Sequence, residues 1–204
     1  MNFLSDTQRA EFAATNARFG LGPEEFTAQL SDVELAKLPE TRMMSSTGHT
    51  DFPRHIISIG SIEEMRSMAG YEDTYSDAKT GGEPAYPPEI TEAQSREWLG
   101  TVETASKEAI PEEIRKNIHA AMIAYVTGDP ARVAGYVSLI NATHFPGRAA
   151  VFTGDVLKVP EATKLVIQGE DPVLLNFGHI TVAKGATIRV NTRVFFQSQI
   201  FTQE

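Results

Sequence analysis

The sequence predicts an α+β protein: helical and irregular elements over residues 1–145, followed by a mainly antiparallel β domain. Three observations carry that prediction. Residues 151–201 are rich in the β-branched and aromatic side chains that suit a pleated surface. That stretch is cut at short intervals by Pro160-Glu161-Ala162, Gly169-Glu170-Asp171-Pro172, Gly178 and Lys184-Gly185, all of which are turn chemistry. Upstream, Ser or Thr recurs three residues ahead of Gln or Glu, the spacing of a helix capping box. The implied organisation is an N-terminal arm over 1–70, an acidic Gly/Pro/Tyr-rich loop or linker over 71–90, a helical segment over 91–145 and a β domain over 146–204, with the helical part packed on the β part.

Taken in order, Ser5-x-x-Gln8 opens a helix to about Phe19, with Phe12 and Phe19 two turns apart on one face and Gly20 closing it. Pro23 suits the first position of a second helix, which carries Phe26 and Leu30 on one side. Ser31-x-x-Glu34 starts a third, ending before Pro39. Residues 56–59, Ile-Ile-Ser-Ile, read as a strand within irregular sequence. Ser61-x-x-Glu64 caps a short helix that stops at Gly70. Residues 71–88, YEDTYSDAKTGGEPAYPP, read as a surface loop or a partly disordered linker.

Thr91-x-x-Gln94 begins a helix that holds the single tryptophan, Trp98. Ile110-Pro111 opens the most regular helix, with Ile114, Ile118 and Tyr125 at helical spacing, Glu112 and Glu113 in its first turn, and Gly128 at its end. Asp129-Pro130 then restarts a helix as N-cap and first residue, with Val133, Tyr136, Val137 and Ile140 on one face. A connection this short predicts an αα-hairpin.

In the β region the expected strands are 156–159, 164–168, 173–177, 179–183, 187–191 and 194–201. Ile180/Val182 and Ile188/Val190 alternate with polar neighbours, so one face is apolar. Gly185 marks a tight hairpin between those two strands. No room exists between strands for helical crossovers, which argues for antiparallel pairing in a sandwich or a short β-solenoid.

The 204 residues carry a net charge of −9. Residues 1–130 hold 11 Lys+Arg against 22 Asp+Glu, and residues 131–204 hold 7 against 5. The acidic front half disfavours nucleic acid and anionic membrane surfaces as partners. The absence of cysteine removes disulfides, thiolate metal sites and a cysteine nucleophile. The first residues show neither a basic nor an apolar leader region, so the expected location is the cytoplasm, or export without a conventional signal peptide.

No nucleophile elbow, phosphate-binding loop or dinucleotide fingerprint is present, and no catalytic residue is assigned. His49, Asp51 and His55 lie within one short segment and form one candidate divalent-metal set; His144 and His179, near or within the β region, form another. Gly154-Asp155-Val156-Leu157-Lys158-Val159-Pro160 resembles the GD-x-hydrophobic-x-VP turn of cupins. That resemblance implies a histidine-held metal inside a small β-barrel, although the cupin His-x-His pair with its downstream Glu is absent here. Tyr71, Tyr75, Tyr86 and Trp98 are candidate stacking groups for a small ligand or sugar.

Residues 194–201, VFFQSQIF, combine high β propensity with no charge. Such a segment must be covered or paired with another subunit, which makes Val194, Phe196, Ile200 and Phe201 the candidate interface. The first functional expectation is a non-enzymatic interaction or assembly protein, acting on itself or on a protein partner and needing no cofactor. The alternative is a metal-dependent, cupin-like or carbohydrate-directed enzyme with its site at the mouth of the β domain.

Overall fold

The structure, a computed structural model, describes residues 4–26, 40–70 and 84–204. It has helices and open sheets in an α+β arrangement. Two compact units emerge, one of Met1–Ser58 with Arg148–Glu204 and the other of Ile59–Gly147. The helix expected from Ser31, together with Leu30, Tyr71 and Tyr75, lies outside the described residues.

In the first unit, Ser5 caps α1 (Asp6–Arg18): its hydroxyl accepts from the Gln8 amide at 3.2 Å, and Gln8 Oε1 accepts from the Ser5 amide at 2.9 Å. Phe12 and Phe19 are buried, as their spacing predicts, and Gly20 takes a φ of 74° just past the helix. The short α2 (Pro23–Phe26) follows. The strands are β1 (Thr41–Ser45), β2 (His55–Ile59), β3 (Gly147–Val159), β4 (Lys164–Gln168), β5 (Val173–Val182), β6 (Thr187–Val190) and β7 (Val194–Gln203). They form two sheets, ordered β1-β4-β6 and β2-β3-β5-β7. The segment read as an arm thus supplies β1 to the β region.

All four strand pairs with a described register are parallel, which overturns the antiparallel expectation. Consecutive strands from β3 to β7 fall in alternate sheets, so each return to a sheet is made through the other sheet and needs no helix. The predicted hairpin at Gly185 is corrected for the same reason, since β5 and β6 belong to different sheets. Partners lie 23 residues apart at Lys164 and Thr187 (187 − 164) and 21 apart at Val173 and Val194 (194 − 173). The ladder continues through the corners, where Thr187 N donates to Thr163 O and Val173 N to Arg193 O.

Parallel stacking places like on like. Phe152, Leu175 and Phe196 make one column, Leu157, Ile180 and Phe201 a second, and Met44, Ile167 and Val190 a third. The apolar phase shifts by one residue between Phe177 and Ile180, where both ladders skip Gly178. A Cβ on Gly178 would stand 2.8 Å from the Asp155 carbonyl oxygen, so that backbone approach requires glycine. The cupin-like segment is corrected too: residues 154–159 lie within β3 and, Asp155 excepted, pair with β5, so they are not a turn. On the other face of this sheet, α1 packs on β5 and β7. Thr153 donates to Asn16 Oδ1 at 2.8 Å and Asn176 Nδ2 donates to the Phe12 carbonyl at 3.3 Å.

Gly169, with φ 125°, follows β4, and a Cβ there would run into the Ser46 hydroxyl and backbone. Ser46 already accepts from Asp171 N and donates its own amide to Gln168 O. Gly169→Ala is therefore expected to destabilise the first unit by about 2–3 kcal/mol, from an unfavourable backbone conformation and displaced Ser46 bonds. Urea unfolding followed by circular dichroism measures it; a variant as stable as the parent would show that this turn relaxes freely.

In the second unit, α3 (Ile62–Met68) is capped twice over. Ser61 accepts from the Glu64 amide and Asn141 Oδ1 accepts from the Ile62 amide at 2.9 Å. Helix α4 (Glu92–Thr104) begins with the expected Thr91/Gln94 box and continues through Gly100. Helix α5 (Glu112–Thr127) buries Ile118, Ala121, Met122 and Val126. Asp129 Oδ1 accepts from Ala131 N as an N-cap, but residues 130–136 wind as 3-10 turns broken at Val133, and the α-helix α6 (Val137–His144) starts later than expected. Proline at the first position and Gly135 within the segment suit the tighter turn.

Candidate functional site

Two surfaces stand out, one in each unit. In the second, α5 presents Glu112, Arg115, Lys116, His119, Ala120 and Ile123 at helical spacing along one face. With Ala85 they line a cleft of about 390 Å³. An adjoining cleft of about 280 Å³ shares Arg115 and His119 and adds Lys107, Glu108, Ile118, Thr143 and His144. The rings of His119 and His144 have centroids 6.2 Å apart, and Thr143 Oγ1 lies 2.7 Å from His144 Nδ1. Lys116 is paired with Glu112 at 2.7 Å. A hydrogen bond from Ser106, helped by its own backbone amide and then by Lys107 and Arg115, holds the Glu108 carboxyl below its ordinary pKa.

The sequence-predicted residues disperse. His49 Nε2 meets Asp51 Oδ1 at 3.0 Å, while Asp51 Oδ2 accepts from the Met43 amide, so this carboxylate fastens a loop to β1. His55 Nε2 lies 3.0 Å from the Glu25 carbonyl oxygen instead of joining that pair. His179, on β5, hydrogen-bonds Thr202 of β7 at 2.9 Å. Among the described residues, no three His, Asp or Glu side chains gather in a way that could hold a metal ion. Tyr86 is engaged within the protein: the Arg132 guanidinium lies 3.6 Å from its ring centroid, and its hydroxyl accepts from Asp129 N at 2.7 Å. Trp98 is half-buried on α4.

The second surface is the last pair of strands. Among the described residues, β6 and β7 each stand at the edge of a sheet. Each of the three apolar columns buries its first two members and exposes its last: Val190 is 46 % exposed, Phe196 45 % and Phe201 58 %. Val194 is half-buried against the core; Ile200, opposite His179, lies on the other face of the sheet.

No family model, curated protein or solved structure matches the chain significantly. No helix among the described residues is long and apolar enough to cross a membrane.

Sequence reasoning missed His119, Arg115 and Lys107. Their signal was present, because Arg115 and His119 are i,i+4 neighbours on the best helix, but the features that stand out there are its apolar face and the two glutamates of its first turn. It also missed Val190, whose alternation with Arg189 was assigned to a hairpin.

Proposed function

We propose that the protein is a non-enzymatic assembly protein whose last two strands are the contact surface for a second copy of the chain. The observation that carries this reading is the set of apolar columns that end in exposed Val190, Phe196 and Phe201 beside two edge strands. In this reading the alternating parallel strands are the successive turns of a short β-solenoid, and its last described turn presents exposed apolar side chains. An uncovered apolar edge of this length is the kind that other chains pair with.

A second copy suits the edge because β7 carries no charge. In a two-fold contact every residue near the axis meets its own mate, so a charge there would face its like. The uncharged VFFQSQIFTQ edge avoids that repulsion.

The test places a lysine at both exposed columns. Phe196→Lys/Phe201→Lys is expected to move the native mass from an integer multiple of 22.3 kDa to 22.3 kDa itself, with the far-ultraviolet circular dichroism unchanged. A parent chain that is monomeric at high micromolar concentration, or a folded double variant that keeps the parent's mass, would remove the reading.

A further inference from the structure

We infer that the groove along α5 binds a small amphiphilic anion, a carboxylate carried on a short apolar body. This does not depend on the assembly reading, because it uses a different unit of the chain. The second unit is acidic as a whole, yet Lys107, Arg115 and Lys116 converge on the two clefts with His119 and His144. Lys116 is neutralised by Glu112, which leaves Lys107 and Arg115 against Glu108, a fixed balance of 2 − 1 = +1 beside two imidazoles. Arginine presents a planar fork that matches a carboxylate with two parallel hydrogen bonds.

The other end of the groove has a different character. Ala85, Ala120 and Ile123 line it, and Ile123 is 39 % exposed, an apolar cost in water that a ligand body would relieve. Ile123 lies eight positions beyond Arg115 on the helix, which places them about 12 Å apart along the axis. A cleft of 390 Å³ falls within the size range of small-molecule sites, which combine apolar walls with a few placed polar groups. An inorganic anion would use only the basic end, and an uncharged apolar molecule only the other.

Octanoate is the probe, titrated into the full chain by calorimetry and by the imidazole carbon-bound proton resonances. Saturable binding should move the His119 and His144 signals and leave those of His49, His55 and His179 in place. Arg115→Gln, at an exposed position, should weaken octanoate binding at least about tenfold, the usual worth of a charge-assisted pair. Ile123→Ser should weaken it several-fold, while inorganic phosphate and 1-octanol should each bind more weakly than octanoate. Failure to saturate at millimolar octanoate, unaltered affinity in a folded Arg115→Gln variant, or phosphate binding as tightly as octanoate would overturn the inference.

Discussion

Arg66→Met is expected to lower the stability of the second unit by about 2–4 kcal/mol, read as an earlier urea midpoint in the fluorescence of Trp98. The single tryptophan lies in this unit, so its emission reports on that unit's unfolding. Arg66 is 3 % exposed, and its Nη1 donates to the carbonyls of Tyr125, Val126 and Gly128. The last carbonyls of a helix have no partner within it, and here the end of α5 is buried. The guanidinium meets that need and places positive charge at the negative end of the helix dipole. Methionine keeps most of the aliphatic stem, so the loss isolates the polar contribution from any cavity. Each buried acceptor left without a donor costs about 1–3 kcal/mol, partly offset by no longer burying a cation. A midpoint within experimental error of the parent would mean that water reaches these carbonyls.

The local signals of the fold were legible because they are written within four residues of each other. Ser5, Ser61 and Thr91 each cap a helix through the residue three positions on, and Gly20, Gly70 and Gly128 each follow a helix end. The strand spans were legible for the same reason, through β-branched content and turn residues. Pairing was not. Whether Ile180 faces a strand two residues past a turn or one 21–23 residues away depends on closure of the whole circuit, to which alternation is blind. No crossover helix is needed because the chain returns through a second sheet, where a short strand, β4 or β6, takes the place of the helix. Arg66 was equally hidden: a lone arginine in a short helix gives no hint of the carbonyls some sixty residues away that it serves.

The candidate sites divide along the same line. Composition marks the uncharged segment at 194–201 as one to be either covered or paired, and among the described residues it stands at a sheet edge. Closeness in sequence groups His49, Asp51 and His55, and nearness to the β region groups His144 with His179, but three-dimensional position separates them: His55 turns to Glu25 and His179 to Thr202. The pair that does meet, His119 with His144, is 25 positions apart (144 − 119) and joins only because α5 and α6 pack together.

Phe152→Ala should be the most damaging substitution in the first unit, at about 3–5 kcal/mol, because Phe152 is fully buried and its removal leaves a cavity beside Leu175. Phe196 ends the same column, two strands further along, and 45 % of it is exposed. In an isolated chain Phe196→Ala should therefore cost about 1–2 kcal/mol, since only the buried part of the ring is lost. The comparison becomes informative when protein concentration is varied. If a second copy covers the column, the parent gains stability with concentration by mass action and the Phe196 variant does not. Its apparent cost should then climb toward that of Phe152→Ala as concentration rises, whereas the Phe152 penalty stays nearly constant. A Phe196 penalty that is the same at low and high micromolar chain would mean that the exposed column end stays in water, and the edge would then need another explanation for its lack of charge.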